Sequence, residues 1–146
     1  MPKQIPVPSP ANKPFWDALN ERKLVVQRCT ACSRLHYPPR QRCDQCNGDK
    51  FDWKEVKGRG HVLEYFVIRD TRIKRMMGDQ PINMALITLD EDPGLNFLSN
   101  LPGTPPGQVP VGAPVELIFE PLVDAVPLDP ACTPGQLIHE WRIVKE

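Results

Sequence analysis

CTACSRLHYPPRQRCDQC, residues 29–46, sets two Cys-x-x-Cys pairs with ten residues between them. Each pair can bend into a tight knuckle whose two sulfurs face one point. Two knuckles together supply four thiolates at the corners of a tetrahedron, about 2.3 Å from a zinc ion. Cys29, Cys32, Cys43 and Cys46 are therefore the candidate zinc ligands. Two disulfides, a redox dithiol or incidental cysteines are the competing readings. In a reducing compartment such spacing points to metal. Four thiolates leave zinc no open position for water or substrate, so the ion would shape the chain rather than react. Asn47, after the second pair, tolerates a left-handed turn; Ser33, its counterpart after the first, is less regular. His36 could stand in for a cysteine, although the set is complete without it.

The rest of the chain is read outward from this ribbon. With 146 residues it suits one or two small domains. Lys plus Arg equals Asp plus Glu at 18 each, which argues against the positive excess that drives binding to nucleic acid or anionic membranes. Its 18 prolines exceed the usual share of about 5% and predict short strands and loops rather than long helices. No apolar run reaches the roughly 18 residues that span a bilayer. The N-terminal MPKQIPVPSPANKP lacks the apolar core of a secretory signal, so the expected location is cytoplasmic.

Residues 1–13, with prolines at 2, 6, 8 and 10, read as a mobile arm. A helix-plus-ribbon unit is expected over 14–57. Asn12 can cap the helix, Pro14 suits its first turn, and Phe15 and Leu19 share one face. LVVQRC (24–29) reads as a strand. Beyond Trp53 the pattern becomes the period-two alternation of half-buried strands. Five candidates follow at 60–70, 82–90, 95–101, 115–122 and 136–144. Closing five short strands into a barrel removes exposed edges, so 58–146 is expected as an OB-type barrel, with an SH3-like barrel or a sandwich fragment as the alternative.

The order of motifs resembles a known family: the zinc-ribbon plus OB-fold proteins associated with acyl-CoA metabolism. PFWDAL, LVVQRCTAC, HYPPRQRCDQC, Trp53, GRGHV, ALITLDEDPGLNFLSNL and VGAPVELIFE carry the resemblance, from Pro14 almost to the end. It implies a mainly β protein: a short N-terminal helix, a rubredoxin-like zinc ribbon and a five-stranded OB-type barrel. It carries the family's zinc ligands onto Cys29, Cys32, Cys43 and Cys46. It also implies a thiolase-like or lipid-transfer-protein-like enzyme as partner, in complexes that make or break carbon–carbon bonds on CoA thioesters. The stretch PLVDAVPLDPACTPGQL (121–137) departs from the pattern in length and proline content.

The chemistry visible in the residues is consistent with an accessory subunit. There is no G-x-S-x-G elbow, Walker loop or dinucleotide fingerprint. Cys132, with His139 or His61 as base, is the one nucleophile worth weighing, and an ordinary loop thiol explains it better. Arg69, Arg72, Lys74 and Arg75 in the loop 69–80 are candidate contacts for CoA phosphates, against the reading of a solvated loop. Arg34, Arg40 and Arg42 on the ribbon read as solubilising charge. Candidate partner contacts are Phe15, Trp16 and Leu19 on the helix, with Met76 and Met77 beside the basic loop. The leading expectation is a non-catalytic subunit of a thiolase-like hetero-oligomer, two plus two, acting by thiolytic cleavage or condensation of a β-ketoacyl-CoA. A retro-aldol lyase subunit comes next. A single-strand nucleic-acid binder using Tyr65, Phe66 and Phe97, or a free-standing enzyme, comes after it.

Overall fold

The computed structural model describes residues 5–70, 72, 80–122 and 129–145. They form one helix, α1 (Lys13–Asn20), and eight strands. The strands are β1 (Leu24–Cys29), β2 (Leu35–His36), β3 (Phe51–Val56), β4 (Arg59–Ile68), β5 (Ile82–Leu89), β6 (Asn96–Ser99), β7 (Pro114–Pro121) and β8 (Leu137–Ile143). The described residues divide into a ribbon unit, within 5–57 and 121–138, and a barrel unit, within 58–120 and 139–145. No described helix is long and apolar enough to cross a membrane.

In the ribbon unit α1 begins where Pro14 predicts, with Asn12 at the N-cap position. The Asn12 side chain does not cap the helix, however. Its Oδ1 accepts from the Ser9 backbone N–H at 2.6 Å, tightening the turn before the helix instead. Phe15 and Leu19 are 3% and 0% exposed, so the sequence-based assignment of these two as partner contacts is corrected. The apolar face of α1 is already covered within this chain. Trp16 is half-buried and packs edge-on against Phe15, with ring centroids 5.0 Å apart.

The ribbon sheet runs β2-β1-β3, all antiparallel, with Leu24 opposite Val56 and Cys29 opposite Phe51. The sequence reading missed β3, because FDWKEV places charges where a strand signal needs apolar alternation. Gln27 is buried and holds the proline loop by both amide atoms. It donates to the Arg40 carbonyl at 2.9 Å and accepts from the Arg40 N–H at 2.8 Å.

The divergent stretch 121–137 belongs to this unit in its described part. Leu122 and Cys132 are buried together with Ile5, from the segment expected as an arm. Gln136 ties the stretch to α1, donating to the Trp16 carbonyl at 3.0 Å and accepting from the Asn20 amide at 3.1 Å.

The barrel sheet runs β6-β5-β4-β7-β8. Alternation along β5 buries Ala85, Ile87 and Leu89, and Val62, Leu95, Phe97, Val115 and Trp141 complete the apolar interior. Gly60, paired with Leu89, permits the close approach of β4 to β5: a Cβ there would lie 2.3 Å from the Thr88 carbonyl oxygen. A bulge between Val62 and Glu64 shifts the register and helps the sheet curl.

The two ends of the sheet meet through buried side chains. Ser99 Oγ donates to the Glu140 carboxylate at 2.7 Å and accepts from the backbone N–H of Trp141 at 2.9 Å and of Leu101 at 3.1 Å. The same carboxylate accepts from the Asn100 N–H at 3.0 Å. The five strands thus form a nearly closed barrel, the expected fold class.

Candidate metal centre

The two cysteine pairs fold into knuckles with matching backbone bonds. Ser33 N–H donates to the Cys29 carbonyl at 2.8 Å, and Asn47 N–H donates to the Cys43 carbonyl at 2.9 Å. Cys29 N–H then donates to Arg34 O at 2.9 Å, as Cys43 N–H does to Gly48 O at 2.8 Å. Ser33 and Asn47 both adopt left-handed backbone, at φ 66° and 60°. Ser33 therefore makes the turn that its residue type left open. Gly48 stands close to the sulfurs: a Cβ there would lie 3.3 Å from Cys46 Sγ and 3.5 Å from Cys29 Sγ.

The four Sγ atoms all lie within 4.8 Å of one another. Cys29–Cys46 and Cys32–Cys43 are 3.5 Å apart, and all are free thiols. A disulfide would need about 2.05 Å. Tetrahedral ligation at about 2.3 Å separates sulfurs by roughly 3.8 Å, close to this spread. Cys29 and Cys43 are buried, Cys32 is half-buried and Cys46 is exposed.

Charge explains why the cluster suits a dication. Burial pushes the Cys43 thiol up, but the N–H groups of Cys46 and Gln45 and the side chains of His36 and Cys32 outweigh it and bring it down to about 6. At Cys32 the Arg34 backbone N–H lowers the value. Burial and the sulfurs of Cys43, Cys46 and Cys29 reverse this and push it up to about 12. Thiolates this close repel one another, and a cation at their centre removes the conflict.

His36 is buried beside Cys43 as a hydrogen-bond partner, with Nδ1 3.8 Å from Asp44 Oδ1. Arg34 Nε reaches Asp44 Oδ1 at 2.6 Å, linking the two knuckles. The same His36, Cys43 and Asp44 are near enough to form a second, overlapping donor set.

The other candidate residues are dispersed. Arg69 is exposed beyond the end of β4. Arg72 closes its fork on Asp70, at 2.9 and 2.8 Å. Lys74, Arg75, Met76 and Met77 lie outside the described residues. Cys132 is a core position whose sulfhydryl faces the Ile5 carbonyl at 3.8 Å. His61 Nδ1 meets Asp90 Oδ1 at 2.6 Å on the surface, whereas His139 packs edge-on against Phe97 at 5.2 Å. Phe97 is in the core and offers no stacking face to a base, and Tyr65 donates its hydroxyl to the Gly107 carbonyl at 3.1 Å.

Sequence reasoning missed an apolar surface. Phe66, Leu98 and Leu63 are 58%, 54% and 51% exposed. Phe66 pairs with Met84, and Leu86 with Leu98, so β4, β5 and β6 present these side chains together. Phe66, Met84, Leu86 and Leu98 line a hollow of about 440 Å³ together with Glu64 and Tyr65. The signal was present as apolar residues at both phases of the alternation, and it was read only for the core.

Residues 16–52 match the family model described as ChsH2, rubredoxin-like zinc ribbon domain, and residues 53–120 match ChsH2, C-terminal OB-fold domain. The chain belongs to the ChsH2 family. The chain is 36% identical over 104 residues to a probable enoyl-CoA hydratase alpha subunit of Thermomonospora curvata, covering 70% of this chain and 31% of that protein. The 3-oxo-4,17-pregnadiene-20-carboxyl-CoA hydratase alpha subunit of Mycobacterium tuberculosis is 29% identical over 105 residues, covering 72% and 32%. The chain thus spans about a third of the length of these curated relatives.

Among solved structures, a chain of the Ltp2-ChsH2(DUF35) aldolase superposes with a TM-score of 0.70 at 28% identity, covering 94% of this chain and 98% of that one. A DUF35-family protein of unknown function from Sulfolobus solfataricus gives 0.57 at 26% identity, covering 75% and 78%.

Proposed function

We propose that this chain is a non-catalytic subunit of a hetero-oligomeric acyl-CoA aldolase, in which a lipid-transfer-protein-like partner supplies the catalytic groups. The observation that carries the reading is the match along 94% of the chain to a chain of an Ltp2-ChsH2(DUF35) aldolase, together with the ChsH2 family models over residues 16–120. Retro-aldol cleavage splits the Cα–Cβ bond of a β-hydroxyacyl-CoA as the hydroxyl proton leaves, and the electron pair enters the thioester as an enolate. The hydratase named for the relatives adds water to an enoyl-CoA and so produces a compound of that class. Thiolytic cleavage or condensation with a thiolase-like partner stands second, supported by the resemblance of motifs alone.

Within such a complex Cys29, Cys32, Cys43 and Cys46 hold a structural zinc. Bound there, zinc supplies a fourfold cross-link and no open coordination site. His36 and the knuckle N–H groups orient and stabilise the thiolates. The face of Phe66, Met84, Leu86 and Leu98 is the docking surface for the partner, because contiguous exposed apolar area of this kind marks protein interfaces. A two-plus-two assembly in the cytoplasm, where the thiols stay reduced, completes the reading.

Co-expression with a lipid-transfer-protein-like partner tests it. The pair should co-purify with zinc and cleave a β-hydroxyacyl-CoA, and omission of either chain should abolish turnover. Phe66→Lys with Leu98→Lys should release the partner while leaving the circular dichroism unchanged. Full turnover by the partner alone, at unchanged KM, would reject the proposal.

A further inference from the structure

The four sulfurs of the ribbon are gathered together but are not equally open. In the second knuckle residues 44–47 are all exposed, Cys46 among them, whereas Cys43 is 3% and Cys29 0% exposed. Cys32 is half-buried. Across the knuckles, Cys46 Sγ faces Cys29 Sγ at 3.5 Å. An outward sulfur is thus seated against an enclosed one, and a disulfide needs the two to close to about 2.05 Å.

Gly48 provides a second observation on the same pair. A Cβ there would meet Cys46 Sγ at 3.3 Å and Cys29 Sγ at 3.5 Å, and neither Cys32 nor Cys43 is among its three nearest neighbours. Gly48 has no left-handed φ that would call for glycine, so what its missing side chain does is leave these two sulfurs uncovered. Arg42 Nη1 donates to the Asn47 carbonyl at 3.3 Å, placing a cation on the same exposed knuckle. Exposure by itself is ordinary at the tip of a ribbon. It does not account for an open sulfur paired with an enclosed one beneath a residue without a side chain. Cys132 lacks this arrangement, since its sulfhydryl is buried against the Ile5 carbonyl.

We infer that Cys46 and Cys29 form a site of reversible oxidation by hydrogen peroxide, and that their disulfide releases the metal and unfolds the ribbon unit. The inference rests on the structural zinc proposed above and is independent of the aldolase reading. Sulfurs that coordinate a dication are deprotonated, the form that attacks an oxidant. The Cys46 thiolate attacks one peroxide oxygen, the O–O bond breaks, and hydroxide leaves with a sulfenic acid on Cys46. The Cys29 thiolate then attacks that sulfur, the S–O bond breaks, and a second hydroxide leaves. Two protons from solvent turn both hydroxides into water, so the sulfurs lose two electrons and the peroxide gains them. Half of the ligand set is then gone, and the ribbon has few fully buried side chains to hold its shape without it.

The test uses the purified full chain, reduced and loaded with zinc, with its metal content measured before oxidation. Hydrogen peroxide is added stepwise while a chromogenic chelator reports free zinc, and differential alkylation with mass spectrometry maps each cysteine. The first disulfide should join Cys29 to Cys46, and zinc should appear in step with it. Amide signals of β1 and β3 should be lost while those of β4 and β5 persist, and a thiol reductant with zinc should restore them. At matched zinc content Gly48→Ala should slow the release severalfold by covering the pair. Cys132→Ser should release zinc at the wild-type rate.

A first bond between Cys32 and Cys43, zinc retained after Cys46 has oxidised, or equal rates in wild type and Gly48→Ala would each overturn the inference. A freshly reduced chain that holds no zinc would reject the zinc reading instead, and the disulfide map would still decide whether Cys29 and Cys46 pair first.

Discussion

The ribbon unit and the barrel unit reach order by different routes. In the ribbon the fully buried side chains are few, chiefly Leu19, Leu24, Val26 and Cys29, and both knuckles lie largely at the surface. Its shape depends on four sulfurs drawn together within 4.8 Å. The barrel has an apolar interior built on Trp141, Phe97, Ile87 and Leu89, and closes itself with the buried Ser99–Glu140 bond. A small domain short of apolar burial needs a staple, whereas one with a continuous core does not.

Metal removal should separate the two most sharply. Structural zinc contributes about 10–16 kcal/mol in small zinc domains at pH 7. A chelator, or Cys43→Ser, should therefore erase the NMR amide signals of β1 and β3 while those of β4 and β5 persist. Simultaneous loss of both sets would show that the barrel also depends on the metal and would break the comparison.

A core truncation should act in the opposite sense. Trp141→Ala is expected to cost about 3–5 kcal/mol, and Glu140→Gln about 1–3 kcal/mol, by weakening the acceptor that Ser99 and Asn100 share. Denaturant unfolding followed by barrel signals should register both losses in that order. Zinc retention by the folded ribbon should be unchanged in each.

The smallest effect is a pH dependence confined to the barrel. Burial holds His139 below its ordinary value of 6.5, with Glu140 opposing. Below 6.5 the unfolded chain takes up the proton first, so the contribution is complete above that value and lost as pH falls through the folded pKa. The denaturation midpoint should therefore drop with pH below 6.5 in wild type, and His139→Gln should flatten the drop. An unchanged slope would assign the acid sensitivity to other groups.

Much of this was visible in the residues because it is local along the chain. The ribbon strand at 24–29 matches β1, and the five expected barrel strands each coincide with an observed one to within a few residues. Cys-x-x-Cys spacing and period-two alternation act over a few residues, so they survive reading in one dimension. β3 did not, since its charged side chains lie on a sheet that covers little core. Phe15 and Leu19 were recognised as one helix face, but which surface would cover that face depends on the whole ribbon unit.

The sequence by itself determined the thiol cluster, the strand pattern and the order of ribbon and barrel, because each follows from short-range geometry. Tertiary structure alone decided how the barrel closes and where its cations gather. Ser99 meets Glu140 across 41 residues, and Glu116 meets Arg59 and Arg142 across 57 and 26. Such meetings come from strand register in a curled sheet, a long-range property that no local pattern encodes.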